Sequence, residues 1–404
     1  MVAVLVLWNV RVLAGRPAVI GPRRKLCLNK MWSIALETLI ADRAKLLTAL
    51  VGVVFSIVLV NIQGGFFLGL IGRASLLVDS SQADIWVGHR QMCNIDLPRD
   101  IPRRYVYRVR GTPGVARAEP YLLGVTEMTL PSGGYQQVVV VGYEPHAQLG
   151  RAWNLVVRDP HAVLQDDAVL VDQTEAEKLE SPAIGSLREI AGRRARVAGM
   201  TRGIMGFLVF PYVFTTYDRA AAFLRKPPQV CSYVLVRTEP GADPERVCQA
   251  IRQRIPEVDA FPRDQYSRIS INYWMTRTGL GISFGAATLL GLLVGMVMVA
   301  QTLYALVLDR LAEFATLKAI GATERQVYAV LLAQAVMMAA AGTFFGLAIT
   351  WVVQSLYSTP RAPIVIPWTL SLGSSLLVLG ICVVSSLLPY QRIRKLDPMI
   401  VLQG

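Results

Sequence analysis

Asp309-Arg310-Leu311-Ala312-Glu313-Phe314-Ala315-Thr316-Leu317-Lys318-Ala319-Ile320-Gly321-Ala322-Thr323-Glu324-Arg325 is a compact polar stretch between two long apolar runs. Its flanks, residues 278–308 and 326–357, contain no charged side chain, and neither do residues 46–72 or 364–391. A membrane span needs about 20 mostly apolar residues, and each of these runs exceeds that. The chain is 53% hydrophobic and 17% charged, against roughly 25% charged for soluble domains, and its mean hydropathy is +0.43. Four spans in a helical membrane protein are therefore expected.

Positive residues near the span ends set orientation. Arg43 and Lys45 precede the first run, Arg310, Lys318 and Arg325 lie between the second and third, and Arg392, Arg394 and Lys395 follow the fourth. The link at 358–363 carries only Arg361. Both termini, the stretch 309–325 and the tail 392–404 are thus expected in the cytoplasm, and the segment 73–277 outside. The net charge of +13 does not indicate nucleic acid. The basic residues are dispersed and many fall on the outer side, where some face anionic head groups.

The first 30 residues do not read as a signal peptide, because Arg16, Arg23, Arg24 and Lys25 follow the apolar run instead of preceding it. They are expected to be a non-native extension, with Met31 the true start. Residues 31–45 read as an amphipathic helix in the inner interface, with Trp32, Ala35, Leu36, Leu39 and Ile40 on one face.

The segment 73–277 is long enough for one or two domains. Strands are expected at 83–88, 115–130 with a break at Pro120, 135–143, 231–238 and 259–261, and helices at 98–110 and 243–255. Pro113-Gly114-Val115 and Pro256-Glu257-Val258 each follow a helix and open a strand. This suggests two related α/β halves side by side, with 167–217 as an inserted β-rich lobe and a short helix at 173–179. No proline occurs from Arg263 to Leu308, so one helix is expected to run from the domain into the second span. Gly279, Gly281, Gly285, Gly291 and Gly295 on that helix are compatible with close packing.

No phosphate-binding GxxxxGK[ST] or HExxH pattern occurs. His89, His146 and His161 are scattered and read as turn or surface histidines, and Asp166-Asp167 as a solvated turn. Arg99, Arg103, Arg104, Arg108 and Arg110 read as a solvated helix face, with a partner-binding face as the alternative. Cys93, Cys231 and Cys248 allow at most one disulfide on the outer side, and no spacing suits a metal. Ion-coupled transporters need ionisable groups inside the bilayer. The strongest polar groups in these runs are Asn61, Gln63, Gln301, Gln334 and Gln354, which argues against a proton- or sodium-driven pump.

The polar stretch, with Leu308 before it, resembles the cytoplasmic coupling segment of FtsX-like permeases, the MacB, LolC/LolE and DevC group of ABC transporters. Arg392-Ile393-Arg394-Lys395-Leu396-Asp397-Pro398 is similar to the family's C-terminal tail. Asp42-Arg43-Ala44-Lys45-Leu46-Leu47-Thr48-Ala49-Leu50-Val51-Gly52-Val53, Asn272-Tyr273-Trp274 and Glu313-Phe314-Ala315-Thr316-Leu317-Lys318-Ala319 are most similar to DevC-type members. The resemblance implies four transmembrane helices and a large mixed α/β extracytoplasmic domain. It implies a homodimer in the inner membrane, not itself an enzyme, served by a separate ABC ATPase subunit, a periplasmic membrane-fusion adaptor and an outer-membrane channel. Leu311, Glu313, Phe314, Thr316, Leu317, Lys318 and Gly321 would couple it to the ATPase. Leu311, Phe314, Ala315 and Lys318 share one helical face, and Gly321 suits a helix end. Within the same fold the alternatives are lipoprotein release or antimicrobial efflux, and an alternative of another class is FtsX-like signalling to a cell-wall hydrolase.

Overall fold

A computed structural model describes Leu36, residues 43–156, 162–309, Thr316, 323–359, 362–387 and 390–391. The expected extension at 1–30, most of the amphipathic helix at 31–45, nearly all of the polar stretch, and the tail at 392–404 lie outside the described residues. Among the described residues, four helices are long and apolar enough to cross a membrane: α1 (Arg43–Ile71), α7 (Leu280–Asp309), α8 (Glu324–Tyr357) and α9 (Trp368–Ser385). The chain divides into two compact units. One comprises Met1–Leu50, Met298–Ala340 and Cys382–Gly404, the other Val51–Val297 and Ala341–Ile381.

In the first unit Val307, Val327 and Leu331 form a small core, with Tyr390 against it. The Tyr328 and Tyr390 rings lie 4.9 Å apart.

The second unit holds the α/β domain. After α1 come α2 (Leu76–Ser80), β1 (Ile85–His89), β2 (Ile101–Pro102), α3 (Tyr105–Arg110), β3 (Val115–Thr129) and β4 (Tyr135–Tyr143). There follow β5 (Ala168–Asp172), a 3-10 helix Gln173–Leu179, β6 (Leu187–Ile190), β7 (Arg193–Thr201), β8 (Tyr212–Thr216) and α4 (Tyr217–Phe223). Then come β9 (Val230–Cys231), β10 (Tyr233–Thr238), α5 (Pro244–Arg254), β11 (Val258–Pro262) and α6 (Arg263–Arg277). Nine strands form one sheet in the order β11-β1-β10-β3-β4-β8-β5-β7-β6.

The two expected halves are interleaved, not adjacent. The first runs β1-α3-β3 and the second β10-α5-β11, and β10 lies between β1 and β3 with antiparallel pairing to each. This is a pair of split βαβ units. Helix α5 forms where the sequence signals it: Pro244 opens it, the Asp243 side chain accepts from the Glu245 N–H at 3.1 Å, and Arg252 and Arg254 occupy its last turn.

The β-rich insert is not a separate lobe. Its strands continue the sheet, and β6 pairs with the far end of β3 (Met128↔Ile190, Thr129↔Glu189), closing a ring β3-β4-β8-β5-β7-β6. Nor does β3 break at Pro120. The Tyr121 carbonyl accepts from Ser232 N–H at 3.0 Å, so Tyr121 turns its backbone toward β10 and Pro120 turns away. On that far side the β4 ladder begins only at Tyr121↔Tyr143, so the N–H that proline lacks has no ladder partner to lose.

Both sheet faces are buried, and the two-residue period sorts them. Ile85, Val87, Val138, Val140, Val234 and Val236 pack beneath α3, α4 and α5. Trp86, Val139, Val141, Tyr233 and Leu235 face the opposite way, with Tyr266 of α6 in the same cluster.

Small residues set the helix approaches in this unit. A side chain at Gly346 would meet Ile57 of α1 at 2.7 Å, and one at Gly342 would collide with Val53. Gly295 lies over Ser56, and Gly291 over Leu59. Asn61 Nδ2 donates to the Ile57 carbonyl and to Ser374 Oγ, both at 2.8 Å. Of the glycines expected to pack, Gly279 and Gly285 have nothing near them.

Candidate transmission site

Of the seven expected coupling residues, Leu311, Glu313, Phe314, Leu317, Lys318 and Gly321 lie outside the described residues. Thr316 is helical and exposed. Both flanks of the stretch are described. Lys45 of α1 pairs with Asp309, the last residue of α7. On the other side, Gln326 Oε1 accepts from the Thr323 N–H at 2.9 Å. Thr323-Glu324-Arg325-Gln326 thus supplies half of a capping box at the start of α8, a Thr-x-x-Gln signature present in the sequence and not used there.

The second set of contacts joins the α/β domain to the segment that leaves α1. Arg73 and Glu175 are 8% and 1% exposed. Burial lowers the Arg73 pKa, and the charge of Glu175 opposes that shift. Lys178 Nζ reaches Glu175 at 2.8 Å and also donates to the Val209 carbonyl at 2.8 Å. The buried charges are therefore paired, as a low-dielectric site requires. Ser270 Oγ of α6 donates to the Ala74 carbonyl at 2.6 Å and lies 3.2 Å from Asn94 Oδ1.

Trp274, near the end of α6, stacks on Phe207 with ring centroids 4.0 Å apart. Its indole N–H donates to Asp96 Oδ2 at 3.2 Å. Burial pushes the Asp96 carboxyl up to about 6, with the Trp274 hydrogen bond acting in the opposite direction. The loops around residues 96 and 207, the exit of α1 and the end of α6 are fastened together here.

The expected uninterrupted helix from 263 to 308 is broken. Helix α6 ends at Arg277, Thr278 Oγ bonds to the Trp274 carbonyl, and Gly279 takes φ +71° before α7 begins at Leu280. Absence of proline permits a helix but does not enforce one. A glycine in the left-handed region ends it. Ser283 then bonds to the Gly279 carbonyl through its N–H at 3.0 Å and its Oγ at 3.1 Å.

Several of the other candidates make structural contacts. The arginine helix at 98–110 is shorter than expected, because Ile101–Pro102 forms a strand paired with Val230–Cys231. Arg103 bonds to Glu144 at 2.9 Å and lies over the Tyr217 ring at 4.2 Å. Arg110 donates to the Ala118 carbonyl at 2.8 Å. Asp167 sits at φ +56° and pairs with Arg194 at 2.7 Å, a turn held by charge. His89 Nδ1 lies 2.6 Å from the Arg90 carbonyl. Cys231 and Cys248 are buried free thiols whose pKa burial pushes up to about 12, so neither is a reactive thiolate.

Comparison with known proteins adds the following. The family described as MacB-like periplasmic core domain matches residues 46–254, more than half of the chain. The family described as FtsX-like permease C-terminal matches residues 285–398. The extracellular domain of the noncanonic ABC-type transporter YknZ from Gram-positive bacteria is 13% identical, covering 44% of this chain and 98% of its own, at a TM-score of 0.34. The periplasmic region of MacB from Actinobacillus actinomycetemcomitans is 7% identical, covering 46% of this chain and 92% of its own, at a TM-score of 0.37. No curated protein matches the chain.

Proposed function

This chain belongs to the MacB-like periplasmic core family and carries an FtsX-like permease C-terminus, and we propose that it is the permease subunit of a DevC-type ABC exporter. A separate ATPase subunit docks on the stretch 309–325, with Leu311, Glu313, Phe314, Thr316, Leu317, Lys318 and Gly321 as its contact surface. The chain works as a homodimer in the inner membrane with both termini cytoplasmic. An adaptor and an outer-membrane channel complete the export path beyond the α/β domain.

The observation that carries this reading is the continuity of α7. It begins beside Gly279, just after the fastened end of α6, and ends at Asp309, the first residue of the polar stretch. In sequence, α7 thus runs from the end of the α/β segment to the start of the polar stretch. The stretch carries no nucleotide motif of its own, which suits a chain driven from outside.

Glu313→Lys and Phe314→Asp test the reading. The ATPase subunit co-purifies with the wild-type chain, and both variants are inserted but lose coupling between ATP hydrolysis and export. Full coupling in both variants overturns the docking assignment. Capture of a cell-wall hydrolase in place of an adaptor replaces export by signalling.

A further inference from the structure

A cavity of about 300 Å³ opens in the α/β domain between the segment that follows α2 and the loop after β4. Its volume is at the lower end for small-molecule sites. Tyr143, Leu155 and Leu170 contribute to its walls, and Arg151, Trp153, Gln148, Gln82 and Ser80 also line it. No carboxylate is among its described lining residues.

The lining carries one charge, the guanidinium of Arg151, beside neutral polar groups that can each donate. The guanidinium of Arg151, the side-chain amides of Gln82 and Gln148, the indole N–H of Trp153 and the hydroxyl of Ser80 make no hydrogen bond or ion pair among the described residues, whereas the nearby Glu119 carboxylate is already taken by the Gln148 and Leu149 N–H groups at 2.9–3.2 Å. With Arg151 as its single charge and no carboxylate among the described lining residues, the set favours an anion.

The backbone around the opening is costly to hold. Gln82 and Asn154 adopt φ +59° and +51°, and Gly150 adopts +67°. The Gly150 N–H donates to the Ser81 carbonyl at 2.8 Å, tying the loop to the segment after α2. Left-handed backbone at Gln82, which lacks the tolerance of asparagine for that region, is the kind of strain that persists at ligand sites.

We propose that this cavity binds a small anion carried on an apolar or planar body. Arg151 holds the anion, and Trp153, with the Leu155 and Leu170 walls, holds the body. Phosphate or carboxylate on a free solute and the head group of an anionic lipid share this chemistry. The proposal is independent of the permease reading, because binding is measured without any ATPase.

The test uses the full chain in phosphatidylcholine nanodiscs, with phenyl phosphate as the probe and benzyl alcohol as its neutral counterpart. Saturable phenyl phosphate binding is expected. Arg151→Gln weakens it at least tenfold, the loss typical of a charge-assisted hydrogen bond. Trp153→Ala weakens phenyl phosphate and benzyl alcohol alike, and Arg151→Gln leaves benzyl alcohol unchanged. Because Arg151 is exposed, its variant is expected to fold, and an unchanged thermal midpoint verifies that. Nanodiscs containing phosphatidylglycerol separate the sources: reduced probe binding identifies a lipid head group, and undiminished binding a free solute. Absence of saturable binding, or equal affinity in wild type and Arg151→Gln, overturns the proposal.

Discussion

Asp96 and Trp274 meet at 3.2 Å between a carboxylate and an indole N–H, five positions before the left-handed glycine that separates α6 from α7. The carboxyl is held near 6 by burial, above its ordinary value of 3.8. The folded chain therefore keeps a proton between about pH 4 and 6 that the unfolded chain releases. Its contribution to stability is fullest below pH 4, declines as pH rises through 6, and is constant above. Asp96→Asn retains an acceptor for Trp274 and removes the titration. The variant should exceed wild type in stability at pH 7 by about 3 kcal/mol, and the difference should vanish near pH 4. Thermal midpoints of the two proteins across that range measure it.

Gly279 is at φ +71° with open space around its Cα, so a substitution there meets a conformational penalty and no clash. Gly279→Ala should cost about 1–2 kcal/mol and Gly279→Asn less, since asparagine tolerates the left-handed region. If both variants unfold at the wild-type denaturant midpoint, the left-handed break is absent.

Glu175 is the counter-charge for buried Arg73 and for Lys178. Glu175→Gln should destabilise the domain by about 3–5 kcal/mol, the cost of stranding a buried charge. Lys178 keeps 34% of its side chain in water, so Lys178→Met should cost far less. Denaturant unfolding of the two variants compares them.

The helix approaches offer a matched pair. Gly346 faces Ile57 at 2.7 Å, whereas Gly285 has nothing within 4 Å. Gly346→Leu should cost about 1–3 kcal/mol or more through overpacking, and Gly285→Leu should be tolerated. Monodisperse yield on size exclusion distinguishes the two.

Much of this architecture was legible in the sequence, for identifiable reasons. The uncharged runs coincide with helices because length and lack of charge are local properties. The hairpin from β3 to β4 turns at Ser132-Gly133-Gly134, and α5 follows its Asp-Pro cap. Long-range pairing was hidden. Nothing local to Tyr233–Thr238 says that it inserts between β1 and β3, and so the halves read as neighbours. Pro120 read as a break because its orientation depends on which side of β3 is paired. Gly342 and Gly346 were passed over because their role depends on Val53 and Ile57 of another helix. The transmission site had a similar fate. Trp274 stood out as part of a family signature, but its partners Asp96 and Phe207 come from loops far along the chain.

The position of β10 also governs the order in which the domain can assemble. Strands β1 and β3 are made early, yet they share no ladder, and the strand that joins them follows the whole ring in sequence. A chain emerging from its N-terminus must therefore hold Trp86 and Tyr121 uncovered until Tyr233 arrives. The ring strands β3 to β8, in contrast, are complete well before that. High contact order of this kind slows folding, whereas the ring can close on itself while synthesis continues. Transient protection of the apolar strand Ile85–His89 during biogenesis is the consequence.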